Sequence, residues 1–207
     1  MSVADTGTRS PAEAAIWTVG HGTRSTDSLA GLLAAAGATT VIDVRRYPAG
    51  RRQPRFARQR LEADLPSLGI SYEWWGEALG GRRPMPAPPP TESPWRSHGF
   101  IAYAAHMRSD TFRVALAALE ARARAGEALA VMCAETRWWR CHRRLIADAL
   151  VFDGFAVRDL IDQPPGVEHE ISEASAVMMR TRGTRGWPDG AESSPARSPR
   201  PVGRGQA

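Results

Sequence analysis

The 207-residue sequence has no lysine; all 27 of its basic residues are arginine. That absence removes two chemistries, because a Schiff-base enzyme needs a lysine amine and a Walker-type nucleotide site needs a lysine at the phosphates. The glycine signatures G-x-G-x-x-G and G-x-x-x-x-G-K are missing too, so a dinucleotide or ATP cofactor has no support. Cysteine is scarce, at two residues, too few for a disulfide framework. No C-x-x-C, C-x-x-C-H or H-E-x-x-H run occurs, which excludes a standard zinc motif and covalently attached haem. Neither cysteine is followed six residues later by arginine (Trp139 and Ala147 stand there), so the phosphate cradle of cysteine phosphatases is absent. No apolar run is long enough to span a membrane. The polar, acid-bearing stretch from Met1 to Glu13 does not resemble a secretory leader. With two thiols beside acid and base groups, these features predict a cytoplasmic protein in a reducing compartment, without membrane contact.

The charge is unevenly placed. The net formal charge is +5, but residues 176–207 carry six arginines against Asp189 and Glu192, a net of +4, which leaves +1 for the rest. Basicity is therefore a property of the tail, which implies at most weak nucleic-acid contact there. From Arg45 to Arg60 seven further arginines occur with no acid. Arg55, Arg58 and Arg60 read as surface charge, whereas Arg45 and Arg46 leave the end of a strand and are the better anion ligands.

Hydrophobic patterning gives alternating elements. Ile16–Val19, Thr39–Arg45, Ile70–Trp75, Leu129–Met132 and Phe155–Ile161 read as strands. Helices are predicted from a cap at Ser25 or Thr26 to about Ala36, from about Phe56 to Leu68, from Gly99 to Met107, from Ser109 to Gly126 and from Cys141 to Gly154. Ser25 or Thr26 caps the first of these and Gly37 stops it. The alternation predicts an α/β fold: a single three-layer domain over residues 15–165, its mainly parallel sheet flanked by helices. A flexible N-terminus (1–14), a mobile Pro-rich insertion (Pro84–Pro94) and a polar tail (166–207, disordered from about 180) complete the predicted organisation.

The chemistry concentrates after the fourth strand. Leu129–Met132 runs into Cys133 and Glu135, breaks over Arg137, Trp138, Trp139 and Arg140, and restarts at Cys141, His142 and Arg143. Carboxyl ends of parallel strands share one rim, so His21, Asp43 with Arg45, and Cys133 with Glu135 are expected to meet there, beside that helix start. Cys141, at a helix amino end near Arg140 and Arg143, is the expected thiolate. Glu135 or Asp43 is the candidate general acid or base, and His21 or His142 the proton shuttle. Arg45, Arg46 and Arg143 are candidate anion clamps, Trp138 a stacking surface for a base, and Tyr103 a further substrate contact. Cys133 reads equally as a site residue or a small core hydrophobe. Together these residues suggest an enzyme acting on a nucleotide or nucleic-acid substrate, with a small anionic or nucleotide-like molecule as partner. One alternative is a metal- or non-covalent haem-binding protein using Cys133, Cys141, His142 and His21. Another is a phosphate-binding, nucleic-acid-associated module without catalysis. The residues identify no cofactor; a metal ion or haem belongs to the first alternative.

Five separated blocks also carry a family resemblance. They are Val19–Ser25 with its Gly20-His21-Gly22 turn; Asp43, Val44 and Arg45 followed by Pro48; Leu79–Arg82; Gly99–Tyr103 with Met107; and Met132–Glu135 leading to Cys141–Arg143. In this order, over about residues 16–161, the chain resembles the domain-of-unknown-function family 488. The resemblance implies a compact α/β domain of bacteria and archaea, loosely associated with DNA repair, and brings no settled reaction. The Pro84–Pro94 insertion and the long tail depart from the family pattern.

Overall fold

A computed structural model describes residues 15–90 and 93–180. The chain opens with β1 (Ala15–Gly20), α1 (Thr26–Ala36) and β2 (Thr40–Asp43). The Ser25 side chain accepts from the Ser28 backbone N–H and caps α1, and Gly37 ends it in the left-handed region at φ 84°. A short 3-10 turn (Pro54–Phe56) precedes α2 (Arg58–Ser67), which leads to β3 (Ser71–Trp74), α3 (Gly76–Leu79) and α4 (His98–His106). The second half holds α5 (Asp110–Arg124), β4 (Leu129–Cys133), α6 (Arg143–Phe152), β5 (Ala156–Leu160), β6 (Val167–Glu168) and α7 (Glu173–Arg180). Every predicted strand and helix forms, with ends displaced by a few residues. The α6 start moves most in meaning. Cys141 is extended (φ −121°, ψ 148°) and His142 is the N-cap, so both stand just outside the helix.

The described strands make one sheet in the order β3-β2-β4-β1-β5-β6, parallel except for β6 on β5. β4 lies between β1 and β2, and the register aligns Gly20 with Cys133 and Asp43 with Met132. The three strand ends predicted to meet are thus neighbours at one height. Period-two alternation along β4 sorts the layers. Leu129, Val131 and Cys133 join the core under α4, α5, α6 and α7 with Phe112, Leu145 and Met179. Ala130 and Met132 join the opposite core with Leu29, Leu33 and Leu61 of α1 and α2. Full burial of one such aliphatic side chain contributes about 1.5–3 kcal/mol. Every residue of β2 and of β4 is buried, so the centre of the sheet is covered on both faces.

The domain extends beyond residue 165. Residues 166–180 are polar in sequence and read as the start of the tail, yet they form β6 and α7 and bury His169, Ser175, Met178 and Met179. Their polarity is satisfied internally: His169 bridges Asp148 and Asp159, and Ser172 and Ser175 donate to Asp148. Residues 84–90 and 93–94 of the Pro-rich insertion form no helix or strand. Just beyond them Trp95 is buried and stacks on Phe100 at 5.2 Å. The flexible stretch expected at 1–14 and the disordered tail expected after residue 180 lie outside the described residues. Among the described residues no helix is long and apolar enough to cross a membrane.

Candidate active site

The carboxyl end of the sheet opens into a cavity of about 340 Å³. Its floor is Cys133, Cys141 and His142, and its walls include Arg45, Arg46, Arg82, Arg140 and Glu135. Two close approaches shape it. A Cβ on Gly20 would lie 2.0 Å from the Glu135 carbonyl oxygen, so only glycine lets the β1 and β4 turns meet. A Cβ on Gly81 would lie 2.7 Å from His142 Nδ1 and 2.9 Å from Cγ, so the Leu79–Arg82 turn rests on the imidazole face.

His142 is oriented from its far side. Its Nε2 lies 3.0 Å from the Val44 carbonyl oxygen, to which it donates. The lone pair of Nδ1 then faces both sulfurs, 3.8 Å from Cys133 and 3.6 Å from Cys141. The buried Tyr103 ring meets the imidazole edge-on at 5.0 Å. The hydrogen bond from the Cys141 thiol holds the Cys133 thiol well below the ordinary range against the opposing effect of burial, with His142 and Arg143 adding to the shift. That same bond and burial push the Cys141 thiol up. The two thiols thus titrate together, with Cys133 favoured for the thiolate form over Cys141, the residue the helix start alone had indicated. The sulfur and imidazole donors of Cys133, Cys141 and His142 lie within 4.8 Å of one another.

The predicted residues divide into two groups. Cys133, Cys141, His142, Glu135, Arg45 and Arg46 line the cavity. Asp43, His21, Arg143 and Tyr103 stand behind it as its frame. The Asp43 carboxylate is fully buried and accepts from the Arg45 backbone N–H, from Arg45 Nε and Nη2, and from Tyr72 Oη at 2.6 Å. Arg45 spends its remaining terminal nitrogen on the Phe56 carbonyl oxygen and on His21 Nε2. His21 stacks on Phe56 at 3.9 Å, and burial, helped by Arg45, lowers its pKa to about 4. It is neutral at pH 7, donating from Nδ1 to the Gly22 carbonyl oxygen and accepting at Nε2 from Arg45, which leaves no proton to shuttle. Arg143 is 1% exposed and binds the Glu135 and Thr136 carbonyl oxygens and Thr18 Oγ1, so it holds the β4 turn and is no anion clamp. Tyr103 donates to the Leu79 carbonyl oxygen at 2.7 Å. Trp138 lies outside the cavity, its ring against His169 at 4.6 Å and Trp139 at 5.6 Å.

Among the other lining residues, Arg82, Tyr47, Ser97, Gly99 and Phe100 had no predicted role. Arg82 is exposed and held at φ 55°, a left-handed conformation costly for a side-chain-bearing residue and often retained where function uses it. Arg46 supports it by donating to the Arg82 carbonyl oxygen at 3.0 Å. Arg140 and Glu135 are exposed, and their side chains make no hydrogen bond or ion pair with the described residues. Tyr47, 63% exposed, stands at the mouth. Ser97, Gly99 and Phe100 bring the start of α4 to the opposite lip, where the Ser97 side chain makes no capping bond. With Arg45 paired to Asp43, the three guanidinium groups of Arg46, Arg82 and Arg140 against one carboxylate make this lining suited to an anion. The sequence signal for Gly81 and Arg82 was present in the Leu79–Arg82 block, but nothing in that block showed that it folds onto His142.

Comparison with curated proteins and with solved structures finds no match. A family model does match, over residues 25–150, a segment that contains Cys133, Cys141, His142, Glu135 and the arginines of the lining and leaves out β1 and β5. The chain belongs to the family described as "Domain of unknown function DUF488".

Proposed function

We propose that the cavity is the active site of an enzyme acting on a small anionic, nucleotide-like substrate, with Cys133, Cys141 and His142 as its reactive centre. One observation carries the reading: the thiol and imidazole cluster forms the floor of the same space whose walls present Arg46, Arg82 and Arg140 beside Glu135. Arg45 shapes that space while held by Asp43, and the more exposed guanidiniums meet the anion. Glu135 is the carboxylate placed to take or give a proton. The volume suits a small molecule. Tyr47 offers an aromatic face at the mouth, whereas Trp138 is engaged with His169, which favours a nucleotide-sized ligand over a stacked strand.

The test is calorimetric titration of the chelator-treated full chain with inorganic phosphate and with nucleoside monophosphates. Saturable binding is expected. A charge-assisted hydrogen bond is worth about 1.5–3 kcal/mol, so Arg46→Ala or Arg140→Ala should weaken binding about tenfold or more. No saturable binding, or equal affinity in both variants, overturns the reading.

A further inference from the structure

We infer that Cys133, Cys141 and His142 form a three-ligand zinc site whose fourth coordination position opens into the cavity. The inference deepens the proposed active site and rests on it for the role of the cavity, but the ligand set stands on its own geometry. Tetrahedral zinc, with bonds of about 2.3 Å to sulfur and about 2.0–2.1 Å to nitrogen, sets each sulfur-to-nitrogen edge at roughly 3.6 Å. The two edges here are 3.6 and 3.8 Å. Both sulfurs converge on the one Nδ1 lone pair, and the three donor atoms lie within 4.8 Å of one another. One cation satisfies all three donors.

The surroundings match those of a metal-binding histidine. The Val44 carbonyl oxygen takes the Nε2 proton, which fixes the ring and leaves Nδ1 free to ligate. Gly81 against one ring face and Tyr103 at the edge hold that orientation. Two thiolates and one imidazole are donors of the softness zinc selects. Among the described residues no fourth histidine, cysteine or carboxylate joins the cluster, so the site is open in the manner of a catalytic zinc and not closed like a structural one. The open side faces Glu135 and the arginines. The ligand set matches no short sequence motif, because its cysteines are eight residues apart and a turn brings them together.

The experiment uses the full chain, purified without chelator and without a metal-binding tag. Elemental analysis should give about one equivalent of zinc. Removing it and titrating with Co2+ should reach an end point at about one equivalent, with tetrahedral d–d bands and thiolate-to-cobalt charge transfer. Cys133→Ser and Cys141→Ser should each remove much of the charge-transfer band. Should a serine variant fail to fold, the wild-type cobalt titration still decides the matter. Zinc far below one equivalent together with no cobalt–thiolate band overturns the inference, as does a Soret band in place of zinc. Phosphate titration of the zinc-loaded and zinc-free chains separates the two proposals. Zinc without anion binding keeps the metal site and overturns the anionic substrate; anion binding without zinc does the reverse.

Discussion

Replacing His169 with glutamine should flatten the alkaline limb of the stability profile. His169 lies in the core with Nδ1 at 2.7 Å from Asp159 Oδ2 and Nε2 at 3.0 Å from Asp148 Oδ1. Both ring nitrogens face carboxylate oxygens, so the ring must donate from both and is an imidazolium. Burial opposes that charge, but the two aspartates outweigh it and raise the pKa from 6.5 to about 9. A folded value above the unfolded one means that the native state holds the proton more tightly. The stabilisation is complete below about pH 6.5 and is lost as pH rises through about 9. The difference corresponds to about 3 kcal/mol, a large share of the 5–15 kcal/mol that typically holds a domain together. Urea unfolding at about pH 6 and about pH 10 measures it. Wild type should lose about 3 kcal/mol more than His169→Gln across that interval, because all other titrating groups, the two thiols included, are common to both. The variant should also be weaker at about pH 6, since it leaves buried Asp159 without its cation and Asp148 with only Arg144 at 3.9 Å. If both proteins lose the same stability, the buried ion triad does not tie β6 and α7 to the domain as described.

Two further outcomes separate framework from site. Arg143→Met should lower stability by about 1–3 kcal/mol by removing the donor to the Glu135 and Thr136 carbonyl oxygens, and a melting curve reads it. If instead the protein keeps its stability and loses anion affinity, Arg143 is a ligand after all. Gly81→Ala should leave the fold intact but push the His142 ring off its position, lowering affinity for Co2+ at the cysteine pair. Unchanged cobalt affinity contradicts the packing described for that turn.

The architecture was legible because it depends on local pattern. Apolar runs such as Leu129–Met132 and caps such as Ser25 and Gly37 encode strands and helices within a few residues of themselves. The meeting of His21, Asp43 and Cys133 followed from parallel strand direction, and the order β2-β4-β1 supplied the adjacency that direction alone leaves open. What escaped was where each polar side chain spends its hydrogen bonds. Arg143 looks like a free cation beside a cysteine, yet it is consumed by carbonyl oxygens of the turn preceding it. Tyr103 and Trp138 look like ligand contacts, but long-range packing turns one to Leu79 and the other to His169. The rule that a buried carboxylate needs a partner identified Asp43, and it applies equally to Asp148 and Asp159 within their apolar runs. Their partner, His169, sits in a segment whose composition gave no hint of burial.

The central claim is that the thiol cluster and the arginine wall serve one ligand, and alkylation kinetics test it most directly. Cys133 and Cys141 of the chelator-treated full chain are labelled with iodoacetamide, with and without saturating nucleoside monophosphate, and followed by mass spectrometry. Bound nucleotide should slow labelling of both thiols, and Arg46→Ala with Arg140→Ala should abolish that protection. Labelling rates indifferent to nucleotide in the wild type would contradict the claim and leave the cluster and the arginines as unrelated features of one sheet edge.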